Sequence, residues 1–313
     1  MTFLLFFAIG LFFGSFANVI SIRLHNKKPG IMNGKSECPL CKHPLSWYEN
    51  IPLFAFLLQK GKSRCCKTPI SYWYPTSELL FGLLFGITGM LTSLDDPFLL
   101  VWRILLVFSL GIFLLSDIRF FEIPDEVSLP TIGFLIVASL VFPILPMHAP
   151  PPFLGEALFG ALIVYGFFTL QILTPAFLTS LKRGTTSAFF SAISSVFLFP
   201  LWILAKLFFL AGYLEKKFPE ETEEDDFLSW IGGGDLRIAL IIGLALGWKI
   251  GLLAVFLSYL LGTLIALPLI SLKKYTTKSL IPFGPMLATS LFLCLFWGEE
   301  ILRFYLSFLY GKV

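Results

Sequence analysis

The chain has 313 residues, of which 57% are hydrophobic and only 14% charged, with a formal net charge of +3. A soluble domain of this size carries about 25% charged residues, so the composition excludes one and defines a polytopic membrane protein whose first partner is the lipid bilayer. The distribution of that charge matters more than its sum, and nothing in it supports nucleic acid as a partner.

The first apolar run, Met1 to Ile22, has no basic residue before it and is followed by Arg23, Lys27 and Lys28. A cleaved secretory leader carries its positive charge in front. The order here predicts a retained first helix over about 3–23, with its N-terminus outside and its basic end in the cytoplasm. A polar segment over 24–72 follows. Helix two is predicted at about 74–93, and the acidic turn Leu94-Asp95-Asp96-Pro97 sends the chain back. Helix three is predicted at about 98–116, then a loop over 117–126 holds Asp117, Arg119, Glu122 and Asp125. Helix four is predicted at about 127–147, and helix five at about 153–174, ending before Pro175. Helices six and seven are expected at about 236–248 and 250–272. Helix eight begins near Pro282 and runs to about Trp297, with an amphipathic tail.

The fold expected is therefore all-α, with about eight transmembrane helices and a small cysteine-containing cytoplasmic domain between helices one and two. Starting outside, the loops 24–72, 117–126, 175–235 and 273–281 all fall in the cytoplasm, and they hold most of the Lys and Arg. The stretch Ser187–Gly212 is long and apolar enough to span, which would invert everything after it. Pro200 at its middle breaks or kinks a helix, so the segment is expected to make no net crossing. The acidic run Glu220–Asp226 reads as a solvated loop.

Two acidic blocks carry the chemistry. Ile231-Gly232-Gly233-Gly234-Asp235 stands where a charged segment re-enters the membrane. A charge inserted in the bilayer costs roughly 3 kcal/mol, and three glycines remove the side chains that would keep another backbone away. Read alone, the block also fits an ordinary helix N-terminus, where Asp is favoured. Asp117 ends predicted helix three at the same cytoplasmic edge; alone, it also reads as a loop residue near Arg119. Two partly desolvated carboxylates at one depth can share a proton and activate water. Asp125, after Pro124, is expected to cap helix four.

The five cysteines are Cys38, Cys41, Cys65, Cys66 and Cys294. Cys294 lies in an apolar helix and reads as a buried small residue. The other four lie in the segment expected in the reducing cytoplasm, where clustered cysteines are more often metal ligands than disulfides. Cys38-Pro39-Leu40-Cys41 is a zinc-knuckle half-site, whereas Cys65 and Cys66 are adjacent, which suits one ion only with some strain. His43 is a substitute ligand, and a small polar domain with reduced thiols is the other reading.

Several blocks together resemble the type IV prepilin peptidases, membrane aspartic proteases of the GxGD type. These are Gly14-Ser15-Phe16-Ala17-Asn18-Val19 with Arg23, Ser46-Trp47-Tyr48-Glu49-Asn50-Ile51-Pro52, Pro69-Ile70-Ser71 with Tyr74-Pro75 and Glu78-Leu79-Leu80, Asp117 with Ile123-Pro124-Asp125, Gly232-Gly233-Gly234-Asp235, and Ile281-Pro282-Phe283-Gly284-Pro285. They occur in family order over nearly the whole chain. The resemblance implies that Asp117 and Asp235 are the catalytic pair, supported by Gly232, Gly233, Gly234 and Asp125. It implies cleavage of a prepilin or pseudopilin precursor after the glycine that ends a short basic leader, at the cytoplasmic face of a bacterial inner membrane. It also implies methylation of the new N-terminus from S-adenosylmethionine, and a zinc-type site at Cys38, Cys41 and Cys66. The organisation implied is a first helix at 1–23, a cytoplasmic zinc or methyltransferase region at 24–73, and a peptidase domain at 74–313 with an atypical insertion at 175–230.

The family's fourth cysteine position is Ser63 here, with Cys65 displaced beside Cys66. A peptidase that has lost methylation is therefore the first alternative. A proton-coupled transporter would need charges near the bilayer midplane, paired between inverted repeats, and neither is visible.

Overall fold

The computed structural model describes residues 1–27, 36–38, 40–141, 144, 151–183, 232–271 and 282–309. The expectations for Ser187–Gly212, the acidic run and the basic loop after 272 lie outside the described residues. Two compact units are formed, the first by Met1–Pro124 and the second from Asp125 onward.

In the first unit, α1 (Thr2–His25) packs along α3 (Trp73–Leu91). Their contact is built on small residues. A Cβ on Gly10 would stand 2.4 Å from the Phe81 carbonyl oxygen, and one on Gly14 would stand 2.8 Å from Glu78 Cα. Such close approach replaces the hydrophobic effect as the force between helices where the surroundings are lipid. Between them in sequence lies a short 3-10 turn, Trp47–Asn50, closed by a capping box of Ser46 and Glu49, and then α2 (Phe54–Leu58). The Glu78 carboxylate accepts from the Leu53 amide at 2.8 Å, which ties this segment to the first turns of α3. The expected acidic turn is present: Asp96 caps α4 (Pro97–Phe120) by accepting from the Leu99 amide, with Pro97 in the first turn.

The second unit holds α5 (Asp125–Val141), α6 (Leu154–Arg183), α7 (Gly233–Ser271) and α8 (Gly284–Leu309). Several expected boundaries move. Helix four, expected over about 127–147, is described over Asp125–Val141. Helix three does not stop at 116 but runs one turn further to Phe120, because nothing in Asp117-Ile118-Arg119-Phe120 breaks it; Phe121 ends it in a left-handed conformation at φ 57°. Helix five continues past Pro175 to Arg183, since one missing amide removes a single bond from a long helix. The last helix continues through the expected tail to Leu309.

α7 is two arms. Gly247 has φ 70° and ψ −176°, a conformation outside any helix, and the chain reverses there. A Cβ on Gly251 would stand 3.8 Å from Gly243 Cα, whereas in one straight helix these residues would be about 12 Å apart. The arms 233–246 and 248–271 thus form a hairpin, matching the expected separation of helices six and seven. Among the described residues, five helices are long and apolar enough to cross a membrane: Thr2–His25, Pro97–Phe120, Leu154–Thr174, Gly233–Leu269 and Gly284–Leu309.

Candidate active site

Asp117 lies in the last turn of α4, not in a loop, and is 7% exposed. Its carbonyl accepts from the Phe121 amide at 3.0 Å. The preceding Ser116 hydroxyl pairs with Ser21 of α1 at 2.9 Å, so the wall against Asp117's turn is polar. Nearby, Asn18 donates to Ser77 at 2.6 Å. At the same end of the unit His25 stacks on Phe120 with ring centroids 3.9 Å apart and meets Glu122 at 3.0 Å. Several polar side chains, Asn18, Ser21, Ser77 and Ser116, are therefore buried near the end of α4 that carries Asp117.

Asp235 lies in the first turn of α7, half-buried, with its amide donating to the Gly232 carbonyl at 3.0 Å. The first turn of a helix is a favoured place for an aspartate. Gly232 and Gly233 are exposed, and a Cβ on Gly232 would meet only its own loop, at 3.9 Å or more. Packing within the unit therefore does not demand glycine at 232.

Asp125 is the first residue of α5, and its carboxylate reaches beyond its own helix. It forms an ion pair with Arg237, which stands two residues after Asp235; the side chains are 25% and 14% exposed. This pair fixes the start of α7 to the start of α5. Arg237 was not singled out by the sequence reading, although a guanidinium entering an apolar run from Leu236 to Leu272 requires an acidic partner. A double-mutant cycle of Arg237→Met with Asp125→Asn is expected to give a coupling of about 2 kcal/mol in detergent unfolding; purely additive losses would deny the pair an energetic role.

The cysteine segment forms two copies of one hairpin, 25 residues apart. In the first, the Cys38 amide donates to the His43 carbonyl at 2.9 Å and the Lys42 amide to the Cys38 carbonyl at 2.9 Å. In the second, the Ser63 amide donates to Thr68 at 2.8 Å and the Lys67 amide to Ser63 at 2.9 Å. Lys42 and Lys67 both adopt positive φ, 58° and 60°, and short bridges Glu37–Pro44 and Lys62–Pro69 close each copy. Ser63 thus occupies the place of Cys38, and Cys66 that of Cys41. Cys65, one step out of register, supplies the fourth sulfur: the Sγ atoms of Cys38, Cys41, Cys65 and Cys66 all lie within 4.8 Å of one another. The four sulfurs meet without His43, whose backbone carbonyl closes the first hairpin.

The thiols are tuned unequally. Cys38 is lowered to about 6 by the Cys41 and Leu40 amides, Cys66 is lowered by the Thr68 hydroxyl and amide, and Cys41 is raised to about 12 by its bond to Cys65. A tetrahedral zinc with bonds of about 2.3 Å sets sulfurs about 3.8 Å apart. Cys38–Cys66 at 3.7 Å and Cys65–Cys66 at 3.9 Å match that edge, and Cys41–Cys65 at 3.1 Å needs a small opening. The donor set fits zinc.

Among the described residues, five apolar helices long enough to cross a bilayer define a membrane protein, and four clustered thiols add a metal-type site. Comparison gives the family. Residues 104–267 match the type IV leader peptidase family, and residues 8–92 match the bacterial peptidase A24 N-terminal domain. The chain belongs to the type IV leader peptidase family and is a multi-pass membrane peptidase. It is 28% identical to a prepilin leader peptidase/N-methyltransferase of Aeromonas salmonicida (strain A449), over 97% of this chain and 94% of the relative. It is 26% identical to the protein of that name from Bacillus subtilis (strain 168), over 97% and 98%. To the one from Klebsiella pneumoniae it is 39% identical, over 51% of this chain and 68% of the relative. No solved structure matches the chain.

Proposed function

We propose that the protein removes the basic leader from type IV prepilin-like precursors at the cytoplasmic face of a bacterial inner membrane, with Asp117 and Asp235 as acid and base. What carries the reading is the pair of family blocks that hold these residues, one beginning with Asp117 and one ending on Asp235, with the aspartates in the last and the first turn of apolar helices. One carboxylate removes a proton from water while the other, protonated, polarises the scissile carbonyl. Close acids titrate as a pair, so the roles belong to both. Gly232, Gly233 and Gly234 leave the approach to Asp235 open, and Asp125 holds its helix through Arg237.

The same reading includes eight spans: α1, α3, α4, α5, α6, the two arms of α7 and α8. α3 and α5, with 19 and 17 residues, are close to the ~20 that a crossing needs. It places the N-terminus outside and makes 24–73 a cytoplasmic module, with 74–313 as the peptidase domain and 175–230 as an insertion. Methylation of the new N-terminus by S-adenosylmethionine rests on the relatives' name, and the sequence holds no glycine-rich nucleotide fingerprint. Incubation with a tagged prepilin, with the product's N-terminal mass as readout, tests cleavage and methylation together. An uncut precursor rejects the reading, and an unmethylated product leaves the peptidase alone.

Zinc is proposed at Cys38, Cys41, Cys65 and Cys66, where it would brace the two hairpins. The purified protein is expected to hold about one zinc per chain. Cys65→Ser should lose most of it and Cys294→Ser none. Full retention in Cys65→Ser, read by atomic absorption, would show that the displaced cysteine is not a ligand.

A further inference from the structure

The hairpin of α7 brings together residues that lie far apart in the sequence. Asp235 and Tyr259 stand equally far from Gly247, twelve residues on either side, which is about 18 Å along each arm. The reversal therefore returns Tyr259 to the depth of Asp235, and the phenol lies within electrostatic reach of that carboxylate. α6 completes the set. A Cβ on Gly160 would stand 2.6 Å from the Gly243 and Gly247 backbones, and Val164 meets Gly251, so α6 runs alongside the second arm. Gln171, eleven residues past Gly160, arrives at the same level. There the Tyr259 hydroxyl donates to the Gln171 side-chain carbonyl at 2.6 Å.

Aromatic rings enclose the pair. Phe283, from the block that precedes α8, packs on Tyr259 with centroids 5.0 Å apart, and Phe168 stacks on it at 6.4 Å. Tyr259 is nevertheless 37% exposed and Gln171 half-buried. An amide and a phenol on an accessible surface, among apolar helices, are costly unless they meet polar groups.

A peptide bond can be cut only where the substrate helix has opened. Its freed N–H and C=O groups then lie at the membrane edge, where each unsatisfied one costs several kcal/mol. Gln presents two donors and an acceptor, and a phenol one of each. Together they can pair with an extended backbone without carrying a charge that would compete with the aspartates.

We propose that Tyr259 and Gln171 form a positioning pair that holds the opened backbone of the substrate beside Asp235, with the Phe168 and Phe283 rings as the apolar wall next to the scissile bond. This rests on the reading of Asp235 as a reacting group. The test uses the full chain in nanodiscs and a synthetic precursor with a basic leader, a glycine and an apolar helix. Tyr259→Phe keeps the ring and removes the hydroxyl; Gln171→Leu removes the amide. Each is expected to lower kcat about 10-fold with KM within about twofold, and the double variant to be no slower than either single. Melting temperatures should match the parent within ~2 °C. Full turnover in Tyr259→Phe or Gln171→Leu overturns the proposal, as do losses that are additive or track a fall in melting temperature. An inactive Asp235→Asn alongside a fully active Tyr259→Phe rejects this inference alone, whereas an active Asp235→Asn rejects the reading beneath it.

Discussion

Asp235→Asn, and separately Asp117→Asn, is expected to lower cleavage of a prepilin substrate by roughly 10³-fold or more, with the protein still inserted and folded. Asparagine keeps the size and most hydrogen bonds of aspartate but neither gives nor takes a proton near neutral pH. Asp235 in the first turn of α7 retains its backbone bond to Gly232 in either form, so the helix should not be disturbed. Asp117 is buried beside the Ser116–Ser21 pair, and asparagine fills the same volume, so a stability change of about 1 kcal/mol is the expected side effect. Because two acids acting on one water form a unit, the double variant should be little slower than either single one. Cleavage followed by gel shift, with melting temperature measured in the same samples, decides it. Complete processing by either variant would falsify the pair.

The sequence made the parts visible that depend on local physics. Apolar runs with basic ends, the acidic cap before Pro97 and the glycine block before Asp235 all announce themselves within a few residues. The Gly247 reversal was partly legible, because Gly247-Trp248-Lys249 interrupts an apolar run. What escaped depends on contacts between distant segments. The resemblance already puts Ser63 at a cysteine position, but that the two segments are copies of one hairpin, 25 residues apart, shows only in their matched backbone bonds. The charges after Asp117 resemble a loop and make it look like the end of its helix, whereas Phe121 is the residue that stops the helix. Gln171 and Tyr259 are single polar residues in long apolar stretches, and no periodicity says that they meet.

The second large effect concerns two glycines of α7 that are required for different reasons. Gly247 has open space around it: the nearest atom to an added Cβ is Pro152 Cβ at 3.8 Å. Its φ of 70° with ψ of −176° is a region that residues with a Cβ essentially never occupy. Gly247→Ala is therefore expected to cost about 1–3 kcal/mol through backbone strain alone. Gly243 is an ordinary helical residue in an extraordinary place. A Cβ there would stand 2.4 Å from both the Ala161 Cα and nitrogen, and backbone atoms cannot rotate aside as a side chain can. Gly243→Ala must push α6 away from the hairpin, and Gly243→Val further, with about 3 kcal/mol expected for the larger residue. Unfolding in mixed micelles measures both. The two variants should then part in function. Gly247→Ala resists the reversal itself and is expected to disturb the level at which Tyr259 returns to Asp235, so its surviving folded fraction should cleave slowly. Gly243→Val moves α6, so Gln171 leaves Tyr259 and the loss should resemble that of Gln171→Leu. Wild-type stability in Gly243→Val would show that α6 and α7 do not approach this closely, and the shared depth of Asp235, Tyr259 and Gln171 would lose its basis.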